Sequence, residues 1–139
     1  MNSIMQLIST KICKTSDIGI HNNLFGGTML SWMDEAAGTM AAEMACTPNM
    51  ITLKMDEVLF KKPVKVSDHI RIYGELLHVG TSSLTLSIIA KKFCFKKQAE
   101  ETVCSTKMHF VNIDENGRSH AIDASIRENL RHLINQHNF

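Results

Sequence analysis

The hydrophobic and polar positions of the chain form one long helical pattern and several shorter alternating ones. From Thr28 onward, apolar residues recur at spacings of three and four, which predicts a continuous apolar stripe along one helix. Gly26 and Gly27 stand at the start of this pattern, and Pro48 predicts its end near Cys46 because proline cannot continue the helical hydrogen bonds. The residues of the predicted stripe are Met29, Met33, Ala36, Ala37, Met40 and Met44.

Other segments alternate between apolar and polar residues, which is typical of strands whose two faces differ. The predicted strands span residues 4–13, 50–60, 70–78, 84–95 and 100–113. The second strand changes phase near Asp56 and Glu57, which predicts a β-bulge there. The fourth strand is expected to pair as a hairpin with the first long strand, 50–60. One face of the last strand should carry Cys104, Thr106, Met108 and Phe110.

The C-terminal part of the chain predicts a turn and a second helix. The polar residues 114–119 predict the turn. One long helix and a series of strands joined by short turns predict an α+β domain with an antiparallel sheet. The second helix should be short and amphipathic, and should cap the sheet or a neighbouring subunit. Its apolar positions are Ile122, Ile126, Leu130, Leu133 and Ile134.

The composition limits the classes of protein and of ligand. A chain of 139 residues has the length of one domain with a substantial core, so a single domain over residues 1–139 is expected. With 15 basic and 14 acidic residues, its formal net charge of +1 provides no broad field that would attract nucleic acid or a membrane surface. The N-terminus lacks the pattern of a secretion signal, and no apolar run reaches the length of a bilayer span. A cytoplasmic protein is expected.

Several catalytic and metal-binding patterns are absent from the sequence. The seven histidines show no H-E-x-x-H spacing and the four cysteines form no C-x-x-C pair, so no metal is expected. A G-x-S-x-G nucleophile elbow and the glycine motifs of nucleotide sites are also missing, so neither a serine nucleophile nor a cofactor is expected. Most histidines, His137 among them, are interpreted as surface or packing residues, and His21 alone adjoins the start of the long helix.

Asp34 is the candidate for the chemistry. It lies at the margin of the apolar stripe of the helix, and a carboxylate at the margin of a buried face suits a base or a nucleophile. Gly26 and Gly27 open the same helix, and free backbone N–H groups at a helix N-terminus can stabilise an oxyanion. Together these features favour acyl transfer or hydrolysis. The alternative is that Asp34 is only a solvated boundary residue of an amphipathic helix.

The pattern N-x-x-G-G followed by W-M-D-E-A resembles the hot-dog-fold acyl-CoA thioesterases, most closely the short bacterial type without tandem domains. The segments LFKKPVKVSD and HVGTSSLTLSI are similar to other recurring segments of that family, and the resemblance covers residues 4–114. It implies a hot-dog fold, in which an antiparallel sheet wraps around one long central helix. It also implies hydrolysis of an acyl-CoA thioester to free CoA and a carboxylic acid, at a site shared between two subunits.

The resemblance also implies roles for individual residues. Asn23, Gly26, Gly27 and Asp34 stand in the positions of the family motif, and Asn23 would orient either the water or the thioester carbonyl. Asp34 would activate water as a general base or attack directly and form an anhydride. Seven positions separate Gly27 from Asp34, about 10 Å along a helix, which is more than one water bridges. This distance favours a site shared by two chains, although side chains that lean toward the helix N-terminus leave a one-chain site open.

The partners expected from these features are an acyl-CoA substrate and other copies of the chain. A homo-oligomer is expected, at least a dimer, and the resemblance suggests a hexamer made of three dimers. Phosphates of CoA need cations or backbone donors. Close relatives often have a basic residue where this chain has Thr81, and the lysines of KKFCFKK are typical of a solvated strand end. The substrate-binding candidates are Lys61, Lys62, Thr81, Ser82 and Ser83.

Two other functions compete with hydrolysis. A noncatalytic module that binds or senses acyl-CoA could use the same fold, but the sequence has no DNA-binding extension that would serve as its output. A dehydratase or hydratase of this fold would need a histidine in the central helix, and no histidine lies within residues 28–46.

Overall fold

A computed structural model describes residues 5–136, which form one antiparallel sheet and two α-helices. The ends of the single domain predicted over 1–139 lie outside the described residues, as do Ile4 of the first predicted strand and His137. A short 3₁₀ turn, Thr15–Asp17, precedes the long helix. The elements are β1 (Met5–Ile12), α1 (Gly26–Ala45), β2 (Met50–Phe60), β3 (His69–Val79), β4 (Ser83–Cys94), β5 (Ala99–Asn112) and α2 (Ala124–Gln136).

The long helix begins at the glycine pair and ends where the sequence predicted. Its buried face drifts slightly from the predicted stripe, since Ala41 and Ala45 are buried while Met44 is only half-buried. Cys46 adopts a left-handed conformation with φ of 55°. The N–H groups of Cys46 and Thr47 then turn back to carbonyls of the last helical turn, at 3.3 and 3.1 Å. This Schellman-type turn ends the helix before Pro48 is reached.

The sheet has the strand order β1-β3-β4-β5-β2, and all neighbouring strands are antiparallel. The hairpin partner predicted for the fourth strand was wrong: β4 forms its hairpin with β3, whereas β2 pairs with β5. Tight turns at 80–82 and 95–98 join β3 to β4 and β4 to β5, and local closure takes precedence over the more distant β2. The two edges of the sheet are therefore β1 and β2.

The core lies between α1 and the inner face of the sheet. Gly74 of β3 lies where the helix comes closest, because a Cβ atom there would be only 2.5 Å from the sulfur of Met40. Thr106 and Asn112 are the buried polar residues of β5, and the Thr106 hydroxyl donates to the Asp56 carbonyl at 2.8 Å. The predicted inner face of β5 is confirmed, as its four residues are at most 5% exposed: Cys104, Thr106, Met108 and Phe110.

Strand β2 is irregular and forms an open edge. The predicted bulge is confirmed, since the pairing with β5 shifts between Asp56 and Leu59 and Glu57 has a φ of 49°. A second shift occurs between Thr52 and Lys54, which the sequence did not indicate. Several apolar side chains of β2 are largely exposed, although Met50 is buried and Met55 and Val58 pack against the core. Ile51, Leu53, Leu59 and Phe60 are exposed by 44%, 63%, 50% and 56%.

Helix α2 packs against its own chain, on β3 and α1. Asp123 precedes the helix and accepts hydrogen bonds from the N–H groups of Ser125 and Ile126. Leu130 is buried, and the Arg131 guanidinium donates to the Val79 carbonyl at 3.3 Å. Of the two predicted positions, α2 therefore caps its own sheet. Within residues 5–136, neither helix combines the length and the apolar character needed to cross a bilayer.

Candidate active site

The loop before α1 is held by backbone hydrogen bonds that fix the position of Asn23. Its carbonyl accepts from the Gly19 N–H at 2.8 Å, and Asn22 takes a left-handed conformation that closes this small turn. The next residue, Leu24, donates its N–H to the Val64 carbonyl at 2.7 Å. Hydrogen bonds of the Asn23 carbonyl and of the following N–H group therefore hold this residue in position.

The first turn of α1 presents free donors beneath two aromatic rings. The first N–H groups of a helix have no partner within the helix, and here they belong to Gly26 and Gly27. A Cβ atom on Gly26 would lie 3.4 Å from the Phe60 ring, and one on Gly27 would lie 2.8 Å from the Phe25 ring. Glycine at both positions lets the rings lie close to the backbone and keeps the N–H groups accessible.

A groove of about 360 Å³ opens beside this helix start. Its polar lining comes from Asn23, Lys61 and Lys62, and the Gly26 backbone and the Phe60 ring also border it. The structure thus brings Asn23, Gly26, Lys61 and Lys62 together, whereas Gly27 follows in the same helical turn but does not line the groove. Lys62 forms an ion pair with Glu101 at 3.7 Å. As formed by residues 5–136, the lining of this groove contains no carboxylate. We call it the donor groove.

Asp34 lies elsewhere on the same helix, in a shallow surface hollow of about 620 Å³. It is half-buried, and its Oδ1 accepts a hydrogen bond of 2.6 Å from the hydroxyl of Thr52 on β2. In the part of the chain that the structure describes, no lysine or arginine lines this hollow. We call it the carboxylate face. Sequence reasoning missed Thr52, because a threonine at an alternating strand position carries no signal until the helix is packed against the strand.

The donor groove and the carboxylate face are far apart within one protomer. Thr52 pairs with Phe110 of β5, whereas Phe60, which borders the donor groove, pairs with Cys104. Six residues along a strand correspond to about 20 Å. Along α1 itself, Asp34 lies about 12 Å from Gly26, and the two residues line different cavities of one chain.

The turn 80–82, which contains Thr81 and Ser82, lies at the end of the sheet that is remote from Lys61 and Lys62. Ser83 pairs with Val111, about 23 Å along β5 from the residue opposite Phe60 at the usual strand rise. The carbonyls of Thr81, Ser82 and Ser83 accept internal hydrogen bonds of 2.9, 2.7 and 2.8 Å. The Thr81 carbonyl holds the turn to Ile122 in the loop before α2, the Ser82 carbonyl holds it to Asn112 of β5, and the Ser83 carbonyl closes the turn on Gly80.

A hydrogen-bonded chain on the outer face of the sheet involves His109. Its Nδ1 lies 3.1 Å from the Thr85 hydroxyl and its Nε2 lies 2.7 Å from Asp56. The hydrogen bond from His109 lowers the pKa of Asp56 below its usual value. These residues point away from α1 and link β2 to β5 and β4. Within residues 5–136, no cluster of three His, Cys, Asp or Glu side chains has the geometry of a metal site.

Comparison with known proteins identifies several similar chains. The sequence model of the thioesterase superfamily matches residues 21–93. A Haemophilus influenzae protein described as an uncharacterized acyl-CoA thioester hydrolase is 32% identical over 133 residues, which cover 91% of this chain and 82% of the relative. A Bacillus subtilis protein with the same description is 32% identical over 114 residues, which cover 78% of this chain and 66% of the relative.

The fold is also similar to solved structures. One is a hexameric broad-specificity acyl-coenzyme A thioesterase, solved as an aspartate-to-alanine variant. It superposes with a TM-score of 0.85 at 26% sequence identity, and the match covers 94% of this chain and 98% of that one.

Proposed function

This chain belongs to the thioesterase superfamily and is an acyl-CoA thioester hydrolase, and we propose that Asp34 is its general base or nucleophile in a site that two protomers build together. The hot-dog fold that the resemblance implied is confirmed by the long helix, the five-stranded antiparallel sheet and the similarity to solved thioesterases.

The observation that carries the proposal is the separation of the donor groove from the carboxylate face. The donor groove offers N–H groups and ammonium groups but no base. The carboxylate face offers a base but, among its described residues, no cation and no N–H group of a helix start. Hydrolysis requires both, because the carbonyl must be polarised while water is activated on it. Each part is therefore half of a site.

The open edge of β2 provides a way to join the halves. Its exposed apolar side chains and unpaired backbone groups are the features of a strand that pairs with another chain. Two copies of β2 related by a two-fold axis near Asp56 would run antiparallel. Thr52 of one chain would then lie beside Phe60 of the partner subunit, so that Asp34 faces the partner's donor groove. The turn 80–82 would also come to the same end as the partner's Lys61 and Lys62.

The chemistry follows from this arrangement. The thioester carbonyl oxygen accepts hydrogen bonds from the N–H groups at the start of α1, and the Gly27 N–H stabilises the oxyanion that forms. In one route Asp34 takes a proton from water, whose oxygen bonds to the carbonyl carbon. The C–S bond then breaks, and the CoA thiolate leaves and takes up a proton. In the other route Asp34 attacks the carbon itself, the C–S bond breaks as the CoA thiolate leaves and takes up a proton, and water then hydrolyses the resulting anhydride to the free acid and the Asp34 carboxylate. Thr52 holds the carboxylate in either route.

The CoA moiety requires cations for its phosphates. We assign Lys61 and Lys62 to this role, since both border the donor groove. The hydroxyl groups of Thr81, Ser82 and Ser83 are assigned to the same moiety across the dimer. Assembly beyond the dimer is proposed as three dimers, because the similar solved thioesterase is hexameric. Sedimentation of a fully active monomer at assay concentration would contradict this assembly.

Mixing two inactive variants tests the shared site directly. Asn23→Ala damages the donor groove and Asp34→Asn damages the carboxylate face. If the halves come from different chains, a hybrid dimer has one site with both defects and one with neither. Random reassortment makes about half of the dimers hybrids, so roughly a quarter of wild-type turnover should return. Continued inactivity after mass spectrometry has confirmed subunit exchange would overturn the shared site.

A further inference from the structure

Lys65 contacts a site residue although it does not line the donor groove. Its ammonium group hydrogen-bonds to the side-chain oxygen of Asn23. The inference drawn from this contact rests on the proposed function and concerns the two roles left open for Asn23, namely orienting the water or orienting the thioester carbonyl.

The chemistry of lysine fixes the orientation of the Asn23 carboxamide. An ammonium group has three donors and no acceptor, so the carboxamide atom that faces it must be the oxygen. The opposite orientation would set two donors against each other. The Asn23 side-chain nitrogen is then the atom left for the donor groove, and it carries two N–H donors. In this orientation one of the two lone pairs of the carbonyl oxygen is occupied by Lys65, and the N–H donors are the group that Asn23 presents on its other side.

Lys65 itself is anchored by its backbone. Its N–H donates to the Asp68 carboxylate at 2.8 Å, and its carbonyl accepts from the Asp68 N–H at 3.0 Å. The neighbouring residue, Val64, is buried and accepts the Leu24 N–H at 2.7 Å. Two adjacent contacts, one through the backbone and one through side chains, therefore hold the Asn23 loop to the segment 64–68. The lysine side chain reaches Asn23 from a fixed base.

We propose that Lys65 is a positioning residue that turns the Asn23 carboxamide so that its N–H group donates to the thioester carbonyl. Asn23 then belongs with the N–H groups of Gly26 and Gly27 as a third donor to the oxyanion. The positive charge of Lys65 on the amide oxygen also polarises the amide and strengthens its N–H donors, because linked hydrogen bonds reinforce one another. The attacking water is left to Asp34.

Kinetic analysis of single and double variants tests this role with acyl-CoA as substrate. Asn23→Asp keeps the size of the side chain and its contact with Lys65 but removes both N–H donors. It should lower kcat about a hundredfold, the usual effect of losing one oxyanion donor. Lys65→Met should lower kcat about tenfold with KM nearly unchanged. This is the low end of the effect of removing a residue that holds a catalytic side chain in place. Lys65→Arg keeps a side chain that only donates and should restore most of kcat.

The double variant separates positioning from other roles of the lysine. If Lys65 acts through Asn23, then Lys65→Met should cause no further loss of kcat in an Asn23→Ala background. Lys107→Met, at an exposed lysine on the outer side of β5, serves as the matched control and should leave kcat unchanged.

Three results would overturn the inference. The first is an equal loss from Lys65→Met with and without Asn23. The second is a rise in KM alone, which would make Lys65 a phosphate ligand. The third is near-normal kcat in Asn23→Asp. Asp34→Asn is assayed in parallel, because its inactivity with any of these results would leave the proposed function intact and remove only the role of Lys65.

Discussion

The donor groove and the carboxylate face lie on the same helix but are built in opposite ways. Around the groove, a loop fixed by backbone hydrogen bonds collects donors and positive charge: the first N–H groups of α1, the amide of Asn23, and two lysines. On the face, one carboxylate is held by one hydroxyl. Polarising a carbonyl and activating water need opposite kinds of groups. They lie about 12 Å apart along α1 in one chain, from Gly26 to Asp34, and we expect an isolated protomer to be inactive.

Removing the base from the carboxylate face should cause the largest loss of turnover. Asp34→Asn keeps the volume of the side chain and can still accept from Thr52, but it cannot take a proton. We expect thioester turnover, measured as CoA release, to fall at least about a hundredfold. The folded state should survive, as judged by circular dichroism. Glu35→Gln changes the exposed carboxylate next to it and should have no such effect. Near-normal turnover in Asp34→Asn would mean that the carboxylate face has no part in catalysis.

The hydroxyl that supports the carboxylate should have a smaller effect. Thr52→Val preserves the shape of the side chain and removes the hydrogen bond of 2.6 Å. A hydrogen bond to a charged group contributes about 1.5 kcal/mol or more, which corresponds to about a tenfold fall in kcat. Thr52→Ser should retain most of the activity because it keeps the donor. Equal losses in the two variants would show that the methyl group matters and the hydroxyl does not.

The lysines of the donor groove should affect substrate binding more than turnover. We expect Lys61→Met combined with Lys62→Met to raise KM about tenfold while kcat changes little, because the phosphates are bound equally in ground and transition states. The wild-type KM should rise with ionic strength and that of the double variant much less. A short acyl-pantetheine thioester that lacks the phosphates provides the control. If KM of the double variant rose by the same factor for both substrates, the lysines would not bind phosphate.

The smallest effect on turnover is expected for a carboxylate outside both halves. Asp56 has a lowered pKa because of its hydrogen bond from His109, so the folded state holds its proton less tightly than the unfolded state. Its contribution to stability is present above the ordinary pKa of 3.8 and is lost as the pH falls through the lowered value.

Asp56→Asn tests this contribution through urea unfolding between about pH 3 and pH 6, a range that brackets the ordinary aspartate pKa. The variant should lose stability relative to wild type at the upper end of this range, and the difference should narrow at the lower end. Turnover should stay unchanged. If the difference in unfolding free energy between variant and wild type were constant over the whole range, Asp56 would not contribute to the loss of stability at low pH.

Most of the fold could be predicted because it follows local patterns. The helix start at Gly26, the β2 bulge and the inner face of β5 each depend on residues close together in the sequence. The hairpin partner of β4 was wrong because alternation identifies a strand but not its neighbour. The exposure of Ile51 and Leu53 was not anticipated either, since the position of β2 at the edge depends on the order of all five strands.

The candidate site also has a part that the sequence could predict and a part that it could not. Asn23, Gly26 and Asp34 could be proposed from one continuous motif. Thr52 and Lys65 reach these residues from other elements, across 18 and 42 positions of the chain, and no short pattern links them. Periodicity describes a single element, whereas these two contacts arise only when separate elements pack together.

Gly74 determines how deeply the long helix lies in the sheet. Besides the sulfur of Met40, a Cβ there would lie 3.1 Å from Ile8 and 3.3 Å from Ile88, so an added methyl group must displace these side chains. An added methyl group would push against the Met40 side chain and so tend to move α1 away from the sheet. Because α1 carries both the Gly27 N–H and the Asp34 carboxylate, lifting the helix at this point would misalign both of them at once. Enzymatic precision here therefore depends on a position that no substrate touches.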